Sequence, residues 1–393
     1  MTSAGAIAGA ALPWQERAAG AAASALLLDL DGVVIEGRRL VPGADAALVR
    51  ARRAGVPVRF VTNNASRSPA EVAAHLTALG VPATAEEVVT SAVVAVDLVS
   101  ERANARHARP RGRAAAGVVA VVGSSGLLEP LADAGLTAAA AVDVAPGEAF
   151  ALVQGFSPDI GWRDLAAAAR HVRAGTWWIA TNLDPTLPTE DGPAPGNGSL
   201  VGTVRTAAGR GPDAVAGKPD AVMIRRALPP GARDRPAAAL VVGDRLDTDV
   251  AAALAAGATA ALVLTGVHGV VDLLAAPPDG RPHLLAASLA SVTDEHPAVR
   301  LVAAGVGACR GARVTVAEVG DAVDVTVAGE GERAMAGSDG ALDTVRALCT
   351  ATWSLADDLP DAARARLLDA IARHPAVVPL LGCGRAPSGA RGG

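Results

Sequence analysis

Short apolar runs alternate with helical stretches along most of this chain, and no other feature limits its fold as strongly. Ala25–Leu30 is such a run, and Gly43–Ala54 is a helical stretch with Pro42 before it and Gly55 after it. Continuous apolar runs are typical of parallel strands that helices cover on both faces. The pattern therefore predicts an α/β fold built on a parallel sheet.

The same pattern occurs in two sets, one of which interrupts the other. The inner set includes strands at Val118–Val122 and Trp177–Ala180, after which the outer pattern resumes. Strands that alternate with helices in this way are typical of parallel α/β units. We predict a core formed by residues 24–91 and 213–290, with a second α/β unit inserted at 92–212.

The two ends of the chain differ in kind from the middle. Residues 1–23 are rich in Ala and Gly and lack the basic start and apolar centre of a signal peptide, so we predict a mobile leader. Residues 295–383 are expected to form a small α+β accessory region, and residues 384–393 a disordered tail. The accessory region is expected to contain a hairpin and two helices, at Val314–Val319 with Asp324–Val327, at Leu342–Leu355 and at Asp361–Ala372.

Charge, aromatic content and cysteine usage exclude several classes of protein. A net charge of -5 and an aromatic fraction of 2% provide neither the basic surface nor the stacking groups that nucleic-acid binding needs. The 3 cysteines show neither disulfide nor zinc spacing, which favours a cytoplasmic location. Val250–Val267 carries no charge over 18 residues, but its Ala, Gly and Thr content favours a helix, a turn and a buried strand over a membrane span.

Two carboxylates follow the first apolar run. Asp29 and Asp31 are spaced i, i+2, so both project from the carboxyl edge, where open α/β sheets bind ligands. Placed together they repel one another, and a hard cation such as Mg²⁺ would stabilise them. A calcium loop is excluded because Gly32 comes too early and no Glu follows at the required position. An ordinary strand that ends in an Asp-Gly turn remains the alternative.

Three further stretches place polar groups after apolar runs or before a helix. Thr62 and Asn63 follow one apolar strand, Asp244 and Asp249 follow another, and Lys218 is the only lysine of the chain. Hydroxyl and amide groups bind phosphoryl oxygens without adding negative charge, and an ammonium group adds positive charge. Together with the acidic strand end, these groups predict a site for phosphate and magnesium.

With these four stretches in this order, the chain resembles the haloacid dehalogenase superfamily of phosphatases. The triplets Thr62-Asn63-Asn64 and Gly217-Lys218-Pro219 point to the subclass of NagD-like nucleotidases, p-nitrophenyl phosphatases and phosphoglycolate phosphatases. The resemblance covers about residues 24–290, and it implies a Rossmann-like core with a large inserted α/β cap of the C2 type. The region after residue 295 resembles the C-terminal addition of actinobacterial glycerol-3-phosphate phosphatases.

The resemblance also implies roles for the residues that match its motifs. Asp29 is expected to attack phosphorus and become an aspartyl-phosphate, and Asp31 to protonate the leaving alkoxide and then deprotonate water. Thr62 and the backbone amide of Asn63 are expected to bind phosphoryl oxygens. Lys218 is expected to neutralise the nucleophile and the phosphate.

The remaining implied roles concern the metal and the substrate. Mg²⁺ is expected to bind Asp29, the carbonyl oxygen of Asp31 and Asp244, with Asp249 in support. Asn182 and Asp184 are expected to contact substrate hydroxyls from the cap, just before a Pro/Gly-rich loop that ends at Gly198. A segment that only turns the chain between cap and core is the alternative for these cap residues.

A cap that closes the site favours small phosphomonoesters over protein substrates. Glycerol 3-phosphate is the favoured substrate, and 2-phosphoglycolate, nucleoside monophosphates and pyridoxal phosphate are alternatives. A homodimer through the cap is expected, whereas nucleic-acid and membrane partners are not. A second functional class is a non-catalytic sensor of a phosphorylated metabolite with a partner-binding C-terminal region, although binding by itself would not need Asp31.

Overall fold

The computed structural model describes residues 17–18, 23–107, 117–189, 192–319, 322–329 and 338–383. The chain divides into two compact units, of which Met1–Val58 with Pro230–Gly393 is the first and Arg59–Pro229 the second. The expected leader lies outside the described residues except for residues 17, 18 and 23, and the expected tail at 384–393 lies wholly outside them.

The strands of the described residues are mostly short. In chain order they are β1 (Arg17–Ala18), β2 (Ala25–Leu28), β3 (Ile35–Glu36), β4 (Arg39–Leu40), β5 (Val58–Thr62), β6 (Val88–Thr90), β7 (Val118–Val122), β8 (Ala138–Ala140), β9 (Ala149–Gln154), β10 (Trp177–Ala180), β11 (Thr186–Thr189), β12 (Gly192–Pro195), β13 (Ala214–Val215), β14 (Ala239–Gly243), β15 (Thr259–Val263), β16 (Leu284–Ala286), β17 (Glu295–His296), β18 (Val299–Ala303), β19 (Val306–Cys309), β20 (Ala312–Val319) and β21 (Ala322–Gly329).

The helices alternate with the strands over most of the chain. In chain order they are α1 (Ala44–Arg53), α2 (Pro69–Ala78), α3 (Ser91–His107), α4 (Ser125–Asp133), α5 (Trp162–Arg173), α6 (Asn197–Ala208), α7 (Ala221–Ala227), α8 (Pro230–Arg233), α9 (Ala251–Ala256), α10 (Val270–Ala275), α11 (Ser338–Ala356) and α12 (Asp361–Arg373). Helix α2 begins at a capping box, in which the Ser68 hydroxyl accepts from the Glu71 amide and the Glu71 carboxylate accepts from the Ser68 amide. Two amide groups at the helix start are thereby satisfied.

The first unit contains parallel strands in the order β16, β15, β14, β2. Every residue of these strands is buried, which confirms the buried parallel strands expected from the continuous apolar runs. The Asp29 amide donates to the carbonyl oxygen of Val242 at 2.9 Å, one residue beyond the end of β2. The pairing with β14 therefore extends to Asp29 and fixes its backbone at the carboxyl end of the strand.

The uncharged segment Val250–Val267 has the structure expected of it. Helix α9 ends at Gly257, whose φ of 74° is the left-handed conformation that glycine adopts without strain, and the buried strand β15 follows. Among the described residues, no helix is long and apolar enough to cross a membrane.

The C-terminal part of the first unit is an antiparallel sheet in the order β18, β19, β20, β21, packed against α11. The expected hairpin is confirmed, since β20 pairs with β21 from Ala312 opposite Gly329 to Val319 opposite Ala322. Both expected helices are also confirmed, as α11 and α12, and α11 begins four residues earlier than expected, at Ser338 rather than at Leu342.

The buried Arg281 connects helix α11 to the preceding α/β layer. The Arg281 guanidinium lies 4.2 Å from the centroid of the Trp353 ring and forms an ion pair with Asp357. The Trp353 indole donates to the carbonyl oxygen of Leu274 at 3.1 Å. A buried cation that is both stacked and paired is stabilised, so these contacts bind the C-terminal sheet and helices to the α/β layer.

His296 is a buried histidine in the same unit. Its Nε2 donates to the carbonyl oxygen of Val292 at 3.1 Å, and its Nδ1 lies 3.4 Å from an Arg346 nitrogen, which donates to it. Burial lowers the pKa of His296, and the positive charge of Arg346 lowers it further, against the opposing effects of the Val292 carbonyl and Asp294. Arg346 is itself paired with Asp343 at 2.7 Å.

The depressed pKa of His296 predicts a loss of stability in mild acid. As the pH falls through 6.5, the usual pKa of histidine, the unfolded state binds a proton at this side chain before the folded state does. The free energy of unfolding therefore falls. We expect the melting temperature of the native protein to drop more than that of His296→Gln between about pH 7.5 and pH 5.5. His75→Gln on α2 is the control. Equal drops for the native protein and His296→Gln would contradict the prediction.

The second unit contains a five-stranded parallel sheet in the order β13, β10, β9, β7, β8. Trp178 on β10 is fully buried and packs with Leu152 and Val172 in the core of this sheet. The neighbouring Trp177 lies under Arg102, whose guanidinium carbon is 4.4 Å from the ring centroid. A second α/β unit was expected at 92–212. Strands β7, β8, β9 and β10 of this parallel sheet lie within those residues, and β13 lies just after them.

The segment expected as a Pro/Gly-rich loop up to Gly198 contains more structure than its composition indicates. Strands β11 and β12 pair antiparallel, and α6 begins at Asn197, inside the expected loop. The glycines are there because the chain passes close to itself. A side chain at Gly196 would overlap the carbonyl oxygen of Asp184, and one at Gly198 would overlap that of Leu183.

Candidate active site

Three carboxylates of the first unit converge at the carboxyl ends of β2 and β14. One ligand oxygen from each of Asp29, Asp244 and Asp249 lies within 4.8 Å of the others. Asp244 and Asp249 are each only 2% exposed, and Asp29 is half-buried. Buried carboxylates this close repel one another, so the cluster is suited to a cation that offsets their charge.

Asp244 and Asp249 are held by backbone amides. The Val267 amide donates to Asp244 Oδ2 at 2.7 Å, and the Arg245 amide donates to Asp249 Oδ2 at 3.2 Å. Asp249 lies in the π-helical turn Leu246–Val250, which directly precedes α9. This turn returns the chain towards Gly243, so two carboxylates five residues apart meet in one cluster.

Glycines surround the two buried carboxylates. A Cβ atom at Gly32, whose φ is 80°, would lie 2.7 Å from Asp244 Cγ, and one at Gly266 would overlap the Asp244 carboxylate. A Cβ atom at Gly243 would overlap the side chain of Asp249. The backbone therefore approaches the carboxylates as closely as the chain allows. Gly266 was not predicted as a site residue, because it lies 22 residues after Asp244 and no local sequence pattern marks it.

The donor set of this cluster fits Mg²⁺. It offers carboxylate oxygens and contains neither His nor Cys, which are the ligands that zinc prefers. Asp31, the fourth acidic residue of the expected site, is exposed, and its carboxylate is not among the three that converge. Its turn is fixed by the Gly32 amide, which donates to the carbonyl oxygen of Ile35 at 2.7 Å.

The second unit brings the amide and lysine residues of the expected site together. Asn63 follows β5, and its Nδ2 donates to both carboxylate oxygens of Asp184 at 3.1 Å and to the carbonyl oxygen of Lys218 at 3.0 Å. The Lys218 amide donates to Asn63 Oδ1 at 2.8 Å. Thr62 is buried, and its Oγ1 accepts from the Asn64 amide at 3.1 Å.

Lys218 is almost completely buried, with 3% of its surface exposed. Its ammonium donates to the carbonyl oxygen of Val61, at the end of β5, at 3.1 Å. Gly217 before it has no room for a side chain, because a Cβ atom would lie 2.5 Å from Asn63 Oδ1 and 2.7 Å from the carbonyl oxygen of Thr181. The Gly-Lys-Pro triplet therefore begins with glycine so that the chain can lie against Asn63.

Asn182 and Ser91 both bind the backbone of Asn63, and Ser91 was not among the site residues expected from the sequence. The buried Ser91 hydroxyl donates to the Asn63 carbonyl oxygen at 2.7 Å, and Asn182 Nδ2 donates to the same oxygen at 2.8 Å. Asn197 in turn donates to the Asn182 carbonyl oxygen at 2.8 Å. Ser91 follows β6 directly, which is the signal that could have identified it.

Two family models match this chain. Residues 26–137 match the model of the haloacid dehalogenase-like hydrolases, and residues 215–292 match the HAD-hydrolase-like model. D-glycerol 3-phosphate phosphatase of Mycobacterium tuberculosis is 44% identical over 337 residues, which are 84% of this chain and 85% of that protein. The chain belongs to the haloacid dehalogenase-like hydrolases.

Solved structures agree with this family. The crystal structure of glycerol phosphate phosphatase from Mycobacterium tuberculosis in complex with magnesium has a TM-score of 0.69 and 39% identity, over 90% of this chain and 99% of that one. NagD from E. coli has a TM-score of 0.58 and 28% identity, over 68% of this chain and 97% of NagD. Human chronophin is 36% identical over 69% of this chain and 93% of its own length. The expected Rossmann-like core of this superfamily is thus confirmed.

Proposed function

We propose that this chain is a Mg²⁺-dependent phosphomonoester hydrolase that forms an aspartyl-phosphate on Asp29 and acts on glycerol 3-phosphate. The observation that carries the proposal is the convergence of Asp29, Asp244 and Asp249 within 4.8 Å in a member of a hydrolase family. Phosphoryl transfer to a carboxylate needs a cation that offsets the charge of both groups, and the converging carboxylates offer the oxygen ligands that would hold one beside Asp29.

In the first step, an Asp29 oxygen attacks phosphorus while the bond from phosphorus to the leaving oxygen breaks. Asp31 gives its proton to that oxygen, which departs as an alcohol. The exposure of Asp31 supports this role, since an acid that must be reloaded from water has to be accessible to water. The backbone pairing of Asp29 with Val242 supports the role of the nucleophile, because it fixes the attacking group.

In the second step, Asp31 takes a proton from the water that attacks the aspartyl-phosphate. The new bond joins the water oxygen to phosphorus, the bond to Asp29 breaks, and inorganic phosphate leaves. The Thr62 hydroxyl and the Asn63 backbone amide bind phosphoryl oxygens, and the Lys218 ammonium neutralises charge on phosphate and nucleophile. The dense contacts that fix Asn63 and Lys218 support these assignments, because preorganised donors need no rearrangement during the reaction.

Mg²⁺ would be held by Asp29, the carbonyl oxygen of Asp31 and Asp244, with Asp249 in support. When bound, it supplies the positive charge that lets a carboxylate approach a phosphate dianion. The three glycines packed against Asp244 and Asp249 support this assignment, since they bring the backbone against the carboxylates and leave these two side chains little freedom to move apart.

Glycerol 3-phosphate is supported by the M. tuberculosis D-glycerol 3-phosphate phosphatase, which shares 44% identity over most of both chains. The test is a panel of kcat/KM values on glycerol 3-phosphate, 2-phosphoglycolate, a nucleoside monophosphate and pyridoxal phosphate. We expect kcat/KM for glycerol 3-phosphate to exceed kcat/KM for each of the other substrates by at least about tenfold, which is a difference of about 1.4 kcal/mol in transition-state binding. A higher kcat/KM for another substrate of the panel would contradict the assignment of glycerol 3-phosphate.

Assembly and location belong to the same proposal. The proposal includes a homodimer formed through the inserted α/β unit and a cytoplasmic location. The molar mass in solution tests the homodimer.

A non-catalytic sensor is disfavoured, because a protein that only binds a phosphorylated metabolite would not need an exposed Asp31 beside the buried carboxylates. Absence of turnover on every phosphomonoester of the panel, with Mg²⁺ present, would favour the sensor.

Removal of one buried carboxylate is expected to weaken magnesium binding. We expect Asp244→Asn to raise the Mg²⁺ concentration for half-maximal hydrolysis of p-nitrophenyl phosphate by at least about tenfold, and EDTA to abolish turnover of the native protein. Asp247→Asn is the matched control. Its carboxylate lies three residues further along the chain, on the turn that carries Asp249. It is more than half exposed and pairs with Arg245 at 2.8 Å rather than joining the cluster. Equal effects of the two substitutions would contradict the metal assignment.

A further inference from the structure

The side-chain amide of Asn63 is oriented without ambiguity by its partners. Its Nδ2 faces both oxygens of the Asp184 carboxylate at 3.1 Å, and its Oδ1 faces the Lys218 amide at 2.8 Å. Rotation of the amide by half a turn would place an oxygen against a carboxylate and a nitrogen against an N–H group. Both contacts would then be repulsive, so the Asp184 carboxylate selects one orientation of Asn63.

In that orientation Asn63 holds the backbone of Lys218 at two points. Nδ2 donates to the Lys218 carbonyl oxygen at 3.0 Å while Oδ1 accepts from the Lys218 amide. Two hydrogen bonds to the N–H and the C=O of one residue fix the position and the orientation of its backbone. The buried side chain of Lys218 therefore starts from a fixed backbone, and its ammonium reaches the Val61 carbonyl oxygen at 3.1 Å.

Asp184 is itself placed by its own segment. Its amide donates to Asn182 Oδ1 at 3.2 Å, and its carbonyl oxygen accepts from the Gly198 amide at 2.8 Å. The glycines at 196 and 198 allow the start of α6 to lie directly against this backbone. A segment that only turned the chain would need neither this close approach nor a carboxylate aimed at Asn63.

We propose that Asp184 is a positioning residue of the phosphatase reaction, which acts through Asn63 on Lys218 and does not contact the leaving group. The proposal rests on the proposed function and replaces the substrate contact expected for Asp184 from the resemblance. Its carboxylate lies 121 residues from Asn63 in the chain and meets it through both oxygens. Lys218 is proposed to act on the phosphoryl group, which all phosphomonoesters share. The contribution of Asp184 to kcat/KM should therefore be the same for every leaving group.

The first test compares two substrates that differ in the leaving group. We expect Asp184→Asn to lower kcat/KM about fivefold for both glycerol 3-phosphate and p-nitrophenyl phosphate, and to weaken competitive inhibition by inorganic phosphate by a similar factor. A residue that contacts the leaving group would give a large loss on glycerol 3-phosphate, a small loss on p-nitrophenyl phosphate and unchanged inhibition by phosphate. That second pattern would overturn the proposal.

A double-mutant cycle tests whether Asp184 acts through Asn63. In an Asn63→Ala background, which retains the Asn63 backbone amide, Asp184→Asn is expected to cause no further loss of kcat/KM. A full fivefold loss of kcat/KM in that background would show that Asp184 acts independently of Asn63, and it would overturn the proposal. Thermal unfolding of each variant establishes that it is folded before its kinetics are compared.

The last test does not depend on activity, so it separates this proposal from the proposed function. Because Lys218 is the only lysine, protein grown with ε-¹³C-lysine gives one lysine side-chain signal in NMR spectra. We expect Asp184→Asn to shift that signal, whereas Asp164→Asn leaves it unchanged. Asp164 is a matched control in the same unit, where its carboxylate accepts from the Gly161 amide at 2.9 Å. A signal that Asp184→Asn leaves in place would overturn the proposal even in an inactive protein.

Discussion

Asp29→Asn is expected to lower kcat at least about a thousandfold on every phosphomonoester, because an amide oxygen does not form the covalent intermediate. The substitution preserves the size of the side chain and the hydrogen bond from the residue 29 amide to Val242, so the strand end keeps its geometry. It also removes one of the three converging carboxylates. The measurement is kcat on p-nitrophenyl phosphate at saturating Mg²⁺, and activity within tenfold of the native value would contradict the aspartyl-phosphate mechanism.

A second measurement separates the loss of the nucleophile from the loss of a metal ligand. Rapid acid quenching during turnover should trap one phosphoryl group on the peptide that contains residue 29 in the native protein. Asp31→Asn is expected to retain that label longer, because deprotonation of the attacking water is removed while the nucleophile remains. Asp29→Asn should carry no label at any Mg²⁺ concentration. Label on another residue would assign the nucleophile elsewhere.

Lys218→Arg is expected to lower kcat by at least about tenfold, which is about 1.4 kcal/mol of barrier. The side chain of Lys218 is 3% exposed, and its compact ammonium fits against the Val61 carbonyl oxygen. A planar guanidinium is wider and directs its donors in a fixed fork, so it would displace the backbone that Asn63 holds. We expect Lys218→Met, which removes the charge at similar length, to lose at least about a hundredfold. Native rates in Lys218→Arg would contradict the proposed neutralising role.

Arg225→Lys provides a control for the exchange of one cation for another. Arg225 lies on α7, seven residues after Lys218, and is exposed. An exposed cation of this kind contributes little to stability, so the substitution is expected to leave kcat and the melting temperature unchanged. The contrast between positions 218 and 225 isolates the effect of burial from that of charge type.

Local patterns predicted most of the elements around the site. The apolar runs at Val118–Val122 and Trp177–Ala180 became β7 and β10 with the predicted bounds, and the stretch Asp361–Ala372 became α12 with a difference of one residue. These features depend on neighbours within about four residues, which is why they can be read from the sequence. Helix α6 was not predicted, because its sequence begins with Asn, Gly and Ser and its apolar positions are few.

The sequence by itself determined which chemical groups stand at the ends of the strands. The positions of the carboxylates after β2 and β14, and of the hydroxyl and amide at the end of β5, follow directly from the order of residues. A parallel strand that ends must present its last and next side chains at the carboxyl edge. Hence the donor types, the cation and the reaction class could be inferred before any coordinates. The lone lysine among 35 cationic residues pointed to the same site.

Only the tertiary structure decided which of these groups face one another. Asp184 meets Asn63 across 121 residues, the Val267 amide meets Asp244 across 23, and Gly217 lies against Asn63 in a space too small for a methyl group. Such contacts depend on how whole elements pack, and the local order of residues carries no signal for them. For that reason Asp184 was read from sequence as a contact to substrate, whereas its position beside Asn63 supports a role in holding Lys218.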